Sequence, residues 1–325
     1  MFTFEKALDL INSELENLNW SRKPIGLYEP IGYILSLGGK RIRPVVTLMT
    51  YNLYADDVST AMKPALGLEV FHNFTLLHDD IMDRADMRRG KPTVHKKWDD
   101  NTAILSGDVM QIEAYKLIAE TPEKHLKAVL DLFSKTAAEI CEGQQYDMEF
   151  ESRDNVSAEE YIEMIRLKTA VLIAAGAKIG AILGGGTKED AEHLYKFGNA
   201  IGLAFQRKDD LLDVYGNEAD FGKKIGGDIL CNKKTYLLIH ALKNATGEDA
   251  DTLNYWLRNK DENQSKSKIK AVTEIYNRLG IKEACEAKME SYYHEAVENL
   301  AKVQVPKEKK QELRALTQKL MSRND

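Results

Sequence analysis

The sequence predicts an all-α protein, and three observations carry that prediction. Only seven prolines occur in 325 residues, and residues 123–305 contain none. Because proline in a helix interior costs about 3 kcal/mol, a long tract without it permits long helices. Strand-like alternation of apolar and polar residues is nearly absent. Apolar residues instead recur at steps of three and four, as at Leu126, Val129, Leu130, Phe133, Ala137 and Ile140.

Helix boundaries are marked by capping residues along the chain. Thr121-Pro122 is typical of an N-cap followed by proline at the first helical position. The segment Ser157-Ala158-Glu159-Glu160 fits a capping box. The run Gly184-Gly185-Gly186-Thr187 indicates one helix ending and another beginning. We prefer this reading to a phosphate loop, because the GxxxxGK[ST] pattern is missing.

Two stretches interrupt the helical pattern. One runs roughly from Ala85 to Asp100 and contains Gly90 and Pro92. The other runs roughly from Gly216 to Lys234 and contains four glycines and four lysines. Since no low-complexity linker, repeat or change of composition occurs, we predict a single helical domain over residues 1–325.

Composition limits the class of protein. Hydrophobic residues make up 43%, charged residues 30%, and the formal net charge is −6. This balance is typical of a soluble protein and disfavours general nucleic-acid binding, which needs a basic surface. The three cysteines, Cys141, Cys231 and Cys285, lack CxxC spacing, which argues against a disulfide framework or a structural zinc site. With no signal-peptide pattern and no convincing membrane span, we predict a cytoplasmic protein without stable membrane insertion.

Two DDxxD motifs are the main chemical feature. Positions three and four apart share a helix face, so the carboxylates of each motif converge. A solvated acidic face is the simplest interpretation of one such motif. Both motifs, however, lie in strongly apolar sequence, where carboxylates need compensating charge. Oxygen ligands suit Mg²⁺, which fills its shell with water and phosphate oxygens. The candidate metal ligands are Asp79, Asp80, Asp83, Asp209, Asp210 and Asp213.

Basic residues near the motifs complete a polyanion site. The GGKRIRP segment packs three cations into four positions, Lys40 to Arg43. Arg88 and Arg89 follow the first motif, and Lys168 lies within an otherwise apolar helix. Arginine forks suit phosphate oxygens. His72 lies seven residues before the first motif, on the carboxylate face, where a phosphate contact and a structural role are about equally plausible interpretations.

At this point the sequence resembles the trans-isoprenyl diphosphate synthases, the polyprenyl synthetase family, over roughly residues 30–240. Five blocks occur in the family's order: GGKRIRP, LLHDDIMD with RRG, the KT pair, FQRKDDLLD, and GKKIGGD with KKT. The resemblance implies the all-α isoprenoid synthase fold, with antiparallel helices around a central cavity, and a homodimer. It also implies Mg²⁺-dependent head-to-tail condensation of isopentenyl diphosphate with an allylic diphosphate (dimethylallyl, geranyl or farnesyl).

The resemblance further implies individual roles. Asp79, Asp83 and Asp209 would be the main ligands of about three Mg²⁺ ions, with the other three aspartates supporting them. Isopentenyl diphosphate would be held by Lys40, Arg43, His72 and Arg89. The allylic diphosphate would be held by Arg88, Lys168, Gln206, Lys223 and Lys233. Thr169 and Gln206 would lie near the developing carbocation, and the loop near Lys223 would act as a lid.

Product length depends on residues before the first motif. In the resembling family, bulky residues four and five positions before it form the floor of the cavity, here Thr75 and Phe74. A single aromatic there resembles short-chain enzymes with C15 or C20 products. In a straight helix Phe74 points away from the aspartates, so only the resemblance places it in the cavity. Phe71 is a further candidate for the floor.

Four alternatives remain. A longer-chain synthase, with products of C25 or more, would keep the chemistry. A class I terpene cyclase would share the first motif but normally lacks a second DDxxD. A metal phosphohydrolase built on His72 and the His78-Asp79 pair leaves the second motif unexplained. A non-catalytic partner subunit would commonly have lost aspartates that are all present here.

Overall fold

Helices account for nearly all regular structure in the described residues, 1–216 and 225–322 of the computed structural model. One short strand pair, β1 (Met87–Arg88) and β2 (Lys91–Pro92), interrupts them. A π-helical turn, Arg166–Ala170, joins α8 to α9. The helices are α1 (Phe4–Glu16), α2 (Ile25–Ser36), α3 (Ile42–Tyr51), α4 (Ser59–Met82), α5 (Val94–Lys97), α6 (Asp100–Ala119), α7 (Glu123–Ser152), α8 (Ala158–Ile165), α9 (Val171–Gly184), α10 (Lys188–Tyr215), α11 (Gly227–Leu230), α12 (Tyr236–Asn244), α13 (Gly247–Arg258), α14 (Ser265–Arg278), α15 (Ile281–Lys302) and α16 (Gln311–Ser322).

Two of the three capping signals in the sequence mark helix ends as predicted. The Thr121 prediction was wrong in detail, because α7 begins at Glu123, directly after Pro122, and the buried Thr121 hydroxyl has no hydrogen-bond partner among the described residues. Ser157 accepts the backbone N–H of Glu160, whose side chain accepts the N–H of Ser157, so the capping box is confirmed. α9 ends at Gly184, and the Thr187 hydroxyl accepts the N–H of Asp190 at the start of α10. The glycine run is therefore a helix junction, as predicted.

A tight hairpin fills the first predicted break. Arg88 pairs with Lys91, and the two residues between them, Arg89 and Gly90, have φ values of 51° and 73°. Positive φ at both central positions is the pattern of a type I′ turn, which matches the twist of antiparallel strands. The sequence analysis predicted no strands here, because two-residue strands are too short to show alternation.

The chain divides into two compact units. Unit 1 comprises residues 1–135, 172–198 and 299–316, and unit 2 comprises residues 136–171, 199–298 and 317–325. The predicted single domain over residues 1–325 stays a prediction. In unit 1, α4 packs against α3 and α6. The crossing with α6 is close at Gly67, where an added Cβ would lie 3.0 Å from the carbonyl oxygen of Ala114.

Glycines bring α9 against α3 within unit 1. A Cβ at Gly180 would lie 2.3 Å from the Thr47 carbonyl oxygen, so the two backbones touch there. Residues 158–184 are the one described stretch long and apolar enough to cross a membrane, and 72% of its most apolar 18-residue segment is buried. Such burial is typical of a core helix in a soluble protein.

Unit 2 has its own apolar core. That core draws on α8, α12, α14 and α15, with members such as Tyr161, Leu237, Ile275 and Cys285 all at most 2% exposed. Glycines on two helices approach the π-helical turn. A Cβ at Gly143 of α7 would lie 2.3 Å from the backbone nitrogen of Lys168. A Cβ at Gly202 of α10 would lie 2.5 Å from the Cα of Ala170. These close approaches hold the turn in place from two helices.

Candidate active site

The three aspartates of the first motif occupy different environments at the end of α4. Asp80 is 2% exposed, Asp79 is half-buried, and Asp83 is exposed at the helix C-cap. Arg88 on β1 donates from Nε and Nη2 to both oxygens of Asp80, at 2.7–2.9 Å. Its Nη2 also lies 3.8 Å from Asp79 Oδ2. The type I′ hairpin thus returns Arg88 to the motif it follows in sequence.

The pKa of Asp80 reflects two opposing effects. Burial raises it and repulsion by Asp79 adds to the rise, while the hydrogen bonds and charge of Arg88 lower it. Burial is the stronger effect, and the pKa lies above the usual value for aspartate. Arg88 therefore favours the ionised form of Asp80 against the effect of burial.

Cations converge near the first motif in unit 1. The pKa of His72 is held well below its usual value by burial and then by the charges of Arg43, Arg89, Arg88 and Arg41. The imidazole is therefore neutral at pH 7. The pKa of Arg89 is lowered to about 10 by desolvation and by Arg41 and Arg88. Such crowding of positive charge is what a bound diphosphate would relieve.

The second motif also contains unequal aspartates. Asp210 is 3% exposed, and the hydroxyl of Tyr161 donates to its Oδ2 at 2.6 Å. Gln206 donates to its Oδ1 at 3.3 Å, and the Gln206 Oε1 accepts from the Thr169 hydroxyl at 3.4 Å. Burial, with repulsion from Asp228, raises the pKa of Asp210 to about 7. A hydrogen-bonded chain thus links the KT pair to the second motif.

Asp147 is a site residue that the sequence analysis missed. Lys168 Nζ donates to its Oδ2 at 2.6 Å, and the two side chains are 22% and 16% exposed. Burial alone would raise the pKa of Asp147, but Lys233 and Lys168 outweigh it and lower the pKa. Asp147 lies seven residues after Ile140 on the apolar stripe of α7, and a carboxylate on a buried stripe was the available signal.

The remaining predicted residues fall as follows. Lys40 is exposed at the start of α3, and Arg43 is half-buried in its first turn. The Thr75 hydroxyl donates to the His72 carbonyl at 2.8 Å. Asp213 accepts the backbone N–H of Asp228 at 3.0 Å. Asp209 is half-buried on α10. Lys223 lies outside the described residues.

The predicted floor residues form an aromatic stack in unit 1. Phe74 is 9% exposed and packs edge-on against His78, with ring centroids 4.8 Å apart. Phe71 packs against Phe74 at 5.3 Å and against Phe133 of α7 at 5.1 Å. Phe74 is therefore held from two sides.

The donor set suits Mg²⁺ in its chemistry. In residues 1–216 and 225–322, no group of three or more His, Cys, Asp or Glu side chains converges tightly enough to hold a metal ion by itself. Carboxylate oxygens are nevertheless the ligands that Mg²⁺ prefers, and it commonly uses one or two of them and completes its shell with water and phosphate oxygens. The motifs therefore fit metal ions that arrive with a diphosphate.

Comparison with known proteins identifies the family. A profile of the polyprenyl synthetase family matches residues 25–276. The chain belongs to the polyprenyl synthetase family. It is 41% identical over 235 residues to geranylgeranyl diphosphate synthase of Methanosarcina mazei, covering 72% of each chain. It is 40% identical over 251 residues to geranylfarnesyl diphosphate synthase of Natronomonas pharaonis, covering 72% of this chain and 74% of that one.

A solved structure of this family shares the whole fold. The crystal structure of a geranylgeranyl pyrophosphate synthase superimposes with a TM-score of 0.95 at 43% identity, covering 100% of both chains. The predicted all-α isoprenoid synthase fold is confirmed. So is the predicted activity class, a trans-prenyltransferase that makes short-chain prenyl diphosphates.

Proposed function

We propose that this polyprenyl synthetase condenses isopentenyl diphosphate head to tail with an allylic diphosphate, stops at C15 or C20, and releases pyrophosphate. The observation that carries the proposal is the pairing of charges in each unit. In unit 1 an aspartate motif lies with four arginines and a neutral histidine. In unit 2 an aspartate motif lies with Lys168, Asp147 and Lys233. Each unit thus combines carboxylates for metal ions with cations for phosphate oxygens.

The allylic diphosphate is assigned to Arg88, Lys168, Gln206, Lys223 and Lys233. Lys168 and Lys233 would hold the departing pyrophosphate, and Asp147 fixes the ammonium group of Lys168 by a 2.6 Å hydrogen bond. Thr169 and Gln206, which are hydrogen bonded to each other, would offer oxygens near the developing carbocation. Lys223, in the loop proposed as a lid, would add a third lysine. Preorganised charge of this kind lowers the barrier to ionisation.

About three Mg²⁺ ions would bind together with the diphosphate, and Asp79, Asp83 and Asp209 would be their main protein ligands. Bound Mg²⁺ would screen the negative charge of the leaving pyrophosphate. Asp80, Asp210 and Asp213 would support these ligands. The protein donors to Asp210 and the Arg88 fork on Asp80 favour supporting roles for those two carboxylates.

Isopentenyl diphosphate is assigned to Lys40, Arg43, His72 and Arg89. The lowered pKa of His72 means that its ring is neutral and can donate a hydrogen bond without adding to the cationic repulsion. The alkene attacks the allylic carbocation, and the proton that is then lost passes to the bound pyrophosphate. Water has to be excluded, because it would quench the cation.

Product length is assigned to the aromatic stack of Phe74 and Phe71, with Thr75 beside them. The stack supports a C15 or C20 limit, because Phe74 is held against both His78 and Phe71. One relative in the comparison is named as a geranylfarnesyl diphosphate synthase, so a C25 product is the alternative.

We further propose a cytoplasmic homodimer. Exposed thiols at Cys141 and Cys231 suit a reducing compartment. Apolar side chains exposed on α6, Leu105 at 58% and Ile112 at 59%, lie two helical turns apart on one face. The exposed apolar face of α6 supports a subunit contact through this helix.

A product assay tests the proposed function. Purified protein is given isopentenyl diphosphate and Mg²⁺ with dimethylallyl, geranyl or farnesyl diphosphate in parallel, beside a metal-free control. Products are sized by mass spectrometry after dephosphorylation. A metal-dependent C15 or C20 alcohol is the expected result. Products of C25 or longer would discard the floor assignment, and no condensation with any primer would overturn the proposal.

A further inference from the structure

One cation of the GGKRIRP segment turns away from solvent. Arg41 is 5% exposed, and its Nη1 donates to Glu69 Oε1 at 2.7 Å. Its Nη2 donates to the Leu35 carbonyl at 2.6 Å. The Arg41 and Glu69 side chains are only 3% and 2% exposed. Both ends of the Arg41 guanidinium are therefore used within the protein, and Arg41 is buried whereas Lys40 beside it is exposed.

A third buried residue completes this group. The Asn73 side chain, fully buried on α4, donates to Glu69 Oε1 at 3.1 Å and to the Glu69 backbone carbonyl at 2.8 Å. The carboxylate oxygen that receives Arg41 is thus also fixed from one helical turn further along. We call Arg41, Glu69 and Asn73 the anchor cluster.

The backbone around Arg41 needs such an anchor. Arg41 has φ 47° and is the N-cap of α3, with no side-chain capping bond. Gly38 and Gly39 before it also have positive φ, at 78° and 141°. Glycine adopts this region freely, but a side chain such as arginine does so only when surrounding contacts hold it there. The Glu69 ion pair is the contact that the structure provides.

The outer side of the same loop meets a second arginine. Arg89 Nη1 of the hairpin turn donates to the Gly38 carbonyl. A Cβ at Gly39 would lie 2.8 Å from Arg89 Nη2, so the loop and this side chain fit closely. Residues 38–43 are thus fixed from inside by the anchor cluster and from outside by the hairpin.

Charge explains why the inner partner is a carboxylate. The His72 pKa is lowered by the positive charges of four arginines, Arg41, Arg43, Arg88 and Arg89. Of these, Arg88 forms an ion pair with Asp80. A buried arginine without a counterion would add to this repulsion and would be costly in itself. Glu69 neutralises Arg41 inside the protein.

We propose that the anchor cluster positions Lys40 and Arg43 for isopentenyl diphosphate, and that Arg41 acts through the loop without touching substrate. This inference rests on the proposed function, since it concerns the same diphosphate subsite. Loss of the anchor raises the KM for isopentenyl diphosphate, because the loop then samples other conformations before binding. The KM for the allylic diphosphate stays unchanged, because that substrate is assigned to other residues.

The test separates positioning from stability. Removing one partner of a buried ion pair leaves the other charge buried without a counterion, which lowers stability. Replacing both partners by apolar residues of similar size is often tolerated. We therefore compare E69Q and the double variant R41M/E69M with the wild type, measuring denaturant unfolding and both KM values. E113Q is the matched control, because Glu113 pairs with Arg22 at 3.1 Å in the same unit, on a more exposed surface.

The expected result is a KM for isopentenyl diphosphate about tenfold higher in both variants, with kcat within about twofold. R41M/E69M regains stability relative to E69Q but keeps the high KM. A double variant that restores the wild-type KM overturns the inference, since the pair would then serve stability alone. Equal rises in both KM values also overturn it. If the wild type itself forms no product, it is the proposed function that fails.

Discussion

At the scale of single residues, identical letters of a motif carry different chemistry. Asp80 is buried against Arg88, while Asp83 in the same motif is exposed. Asp210 accepts hydrogen bonds from Tyr161 and Gln206. Burial raises the pKa of both Asp80 and Asp210, and hydrogen-bond donors in the protein occupy their oxygens.

Asp147 allows a test of this dependence on neighbours. We expect Asp147→Asn to lower the free energy of unfolding by about 1–3 kcal/mol at pH 7, because it leaves buried lysine charge uncompensated. Denaturant unfolding measures the loss. Asp131→Asn is the matched control, since Asp131 pairs with Lys127 on the surface of α7 with side chains 64% and 87% exposed. The control should lose less than about 0.5 kcal/mol.

The effect of Asp147 should also depend on pH. Its pKa is lowered in the folded protein, so its stabilising contribution is present above the unfolded pKa of about 3.9. That contribution is lost as pH falls through the lower folded value. The difference between wild type and Asp147→Asn should therefore be largest at neutral pH and shrink below about pH 4. A difference that grows in acid would contradict the ion pair.

Phe74 is the residue on which we propose that product length depends. We expect Phe74→Ala to lengthen the main product, because it removes the ring held between His78 and Phe71. Mass spectrometry of dephosphorylated products measures the change. Phe197→Ala is the control, since Phe197 is fully buried elsewhere in unit 1 and its loss should lower stability without altering product length. An unchanged product distribution in Phe74→Ala would remove Phe74 from the chain-length argument.

At the scale of elements, several candidate site residues lie where the backbone departs from regular helix. The KT pair lies in the π-helical turn Arg166–Ala170, and short π segments in α-helices often occur at functional sites. The Arg89–Gly90 turn delivers Arg88 to Asp80. In both places a local departure from the regular helix brings a cation to a carboxylate.

Gly143 tests the importance of the π-helical turn. In Gly143→Ala the new Cβ would lie 2.3 Å from the backbone nitrogen of Lys168, so the backbone of one of the two segments must move. We expect a loss of about 1–3 kcal/mol of unfolding free energy together with a marked fall in kcat. Gly26→Ala is the control, because nothing lies within 4 Å of its added Cβ. It should be neutral or stabilising by about 0.4–1 kcal/mol. Full activity in Gly143→Ala would refute the link between the turn and catalysis.

At the scale of the whole molecule, each compact unit contains one aspartate motif. Unit 1 contains the first motif with the arginines near His72, and unit 2 contains the second with Lys168 and Asp147. Each motif therefore has its own cations within its unit.

The proposed homodimer gives a prediction at this scale. Leu105→Glu combined with Ile112→Glu places two charges on the exposed apolar face of α6, so we expect a monomer in analytical ultracentrifugation. Tyr255→Glu is the control, because Tyr255 is 56% exposed on α13, away from α6 in sequence, and should leave the dimer intact. A dimer that persists in the double variant would move the subunit contact elsewhere.

Much of the fold could be predicted, and the two aspartate motifs could be located, because the signals are local. Helix periodicity, the capping box at Ser157 and the junction at Gly184 are each contained in a few residues. Each DDxxD motif is likewise contained in five consecutive residues. Asp147 was missed because its meaning comes from Lys168, 21 residues away. The hairpin was missed because its strands are only two residues long.

By itself, therefore, the sequence determined the helical class, most helix ends and the positions of the two aspartate motifs, since these follow from neighbours within about one or two turns. The tertiary structure determined which charges meet. Arg41 reads as one of three equivalent cations, yet it is buried on Glu69, 28 positions away. Tyr161 is 49 positions from Asp210 and still donates to it. Burial and pairing of charge arise only when distant segments pack together, and they decide the role of each ionisable side chain.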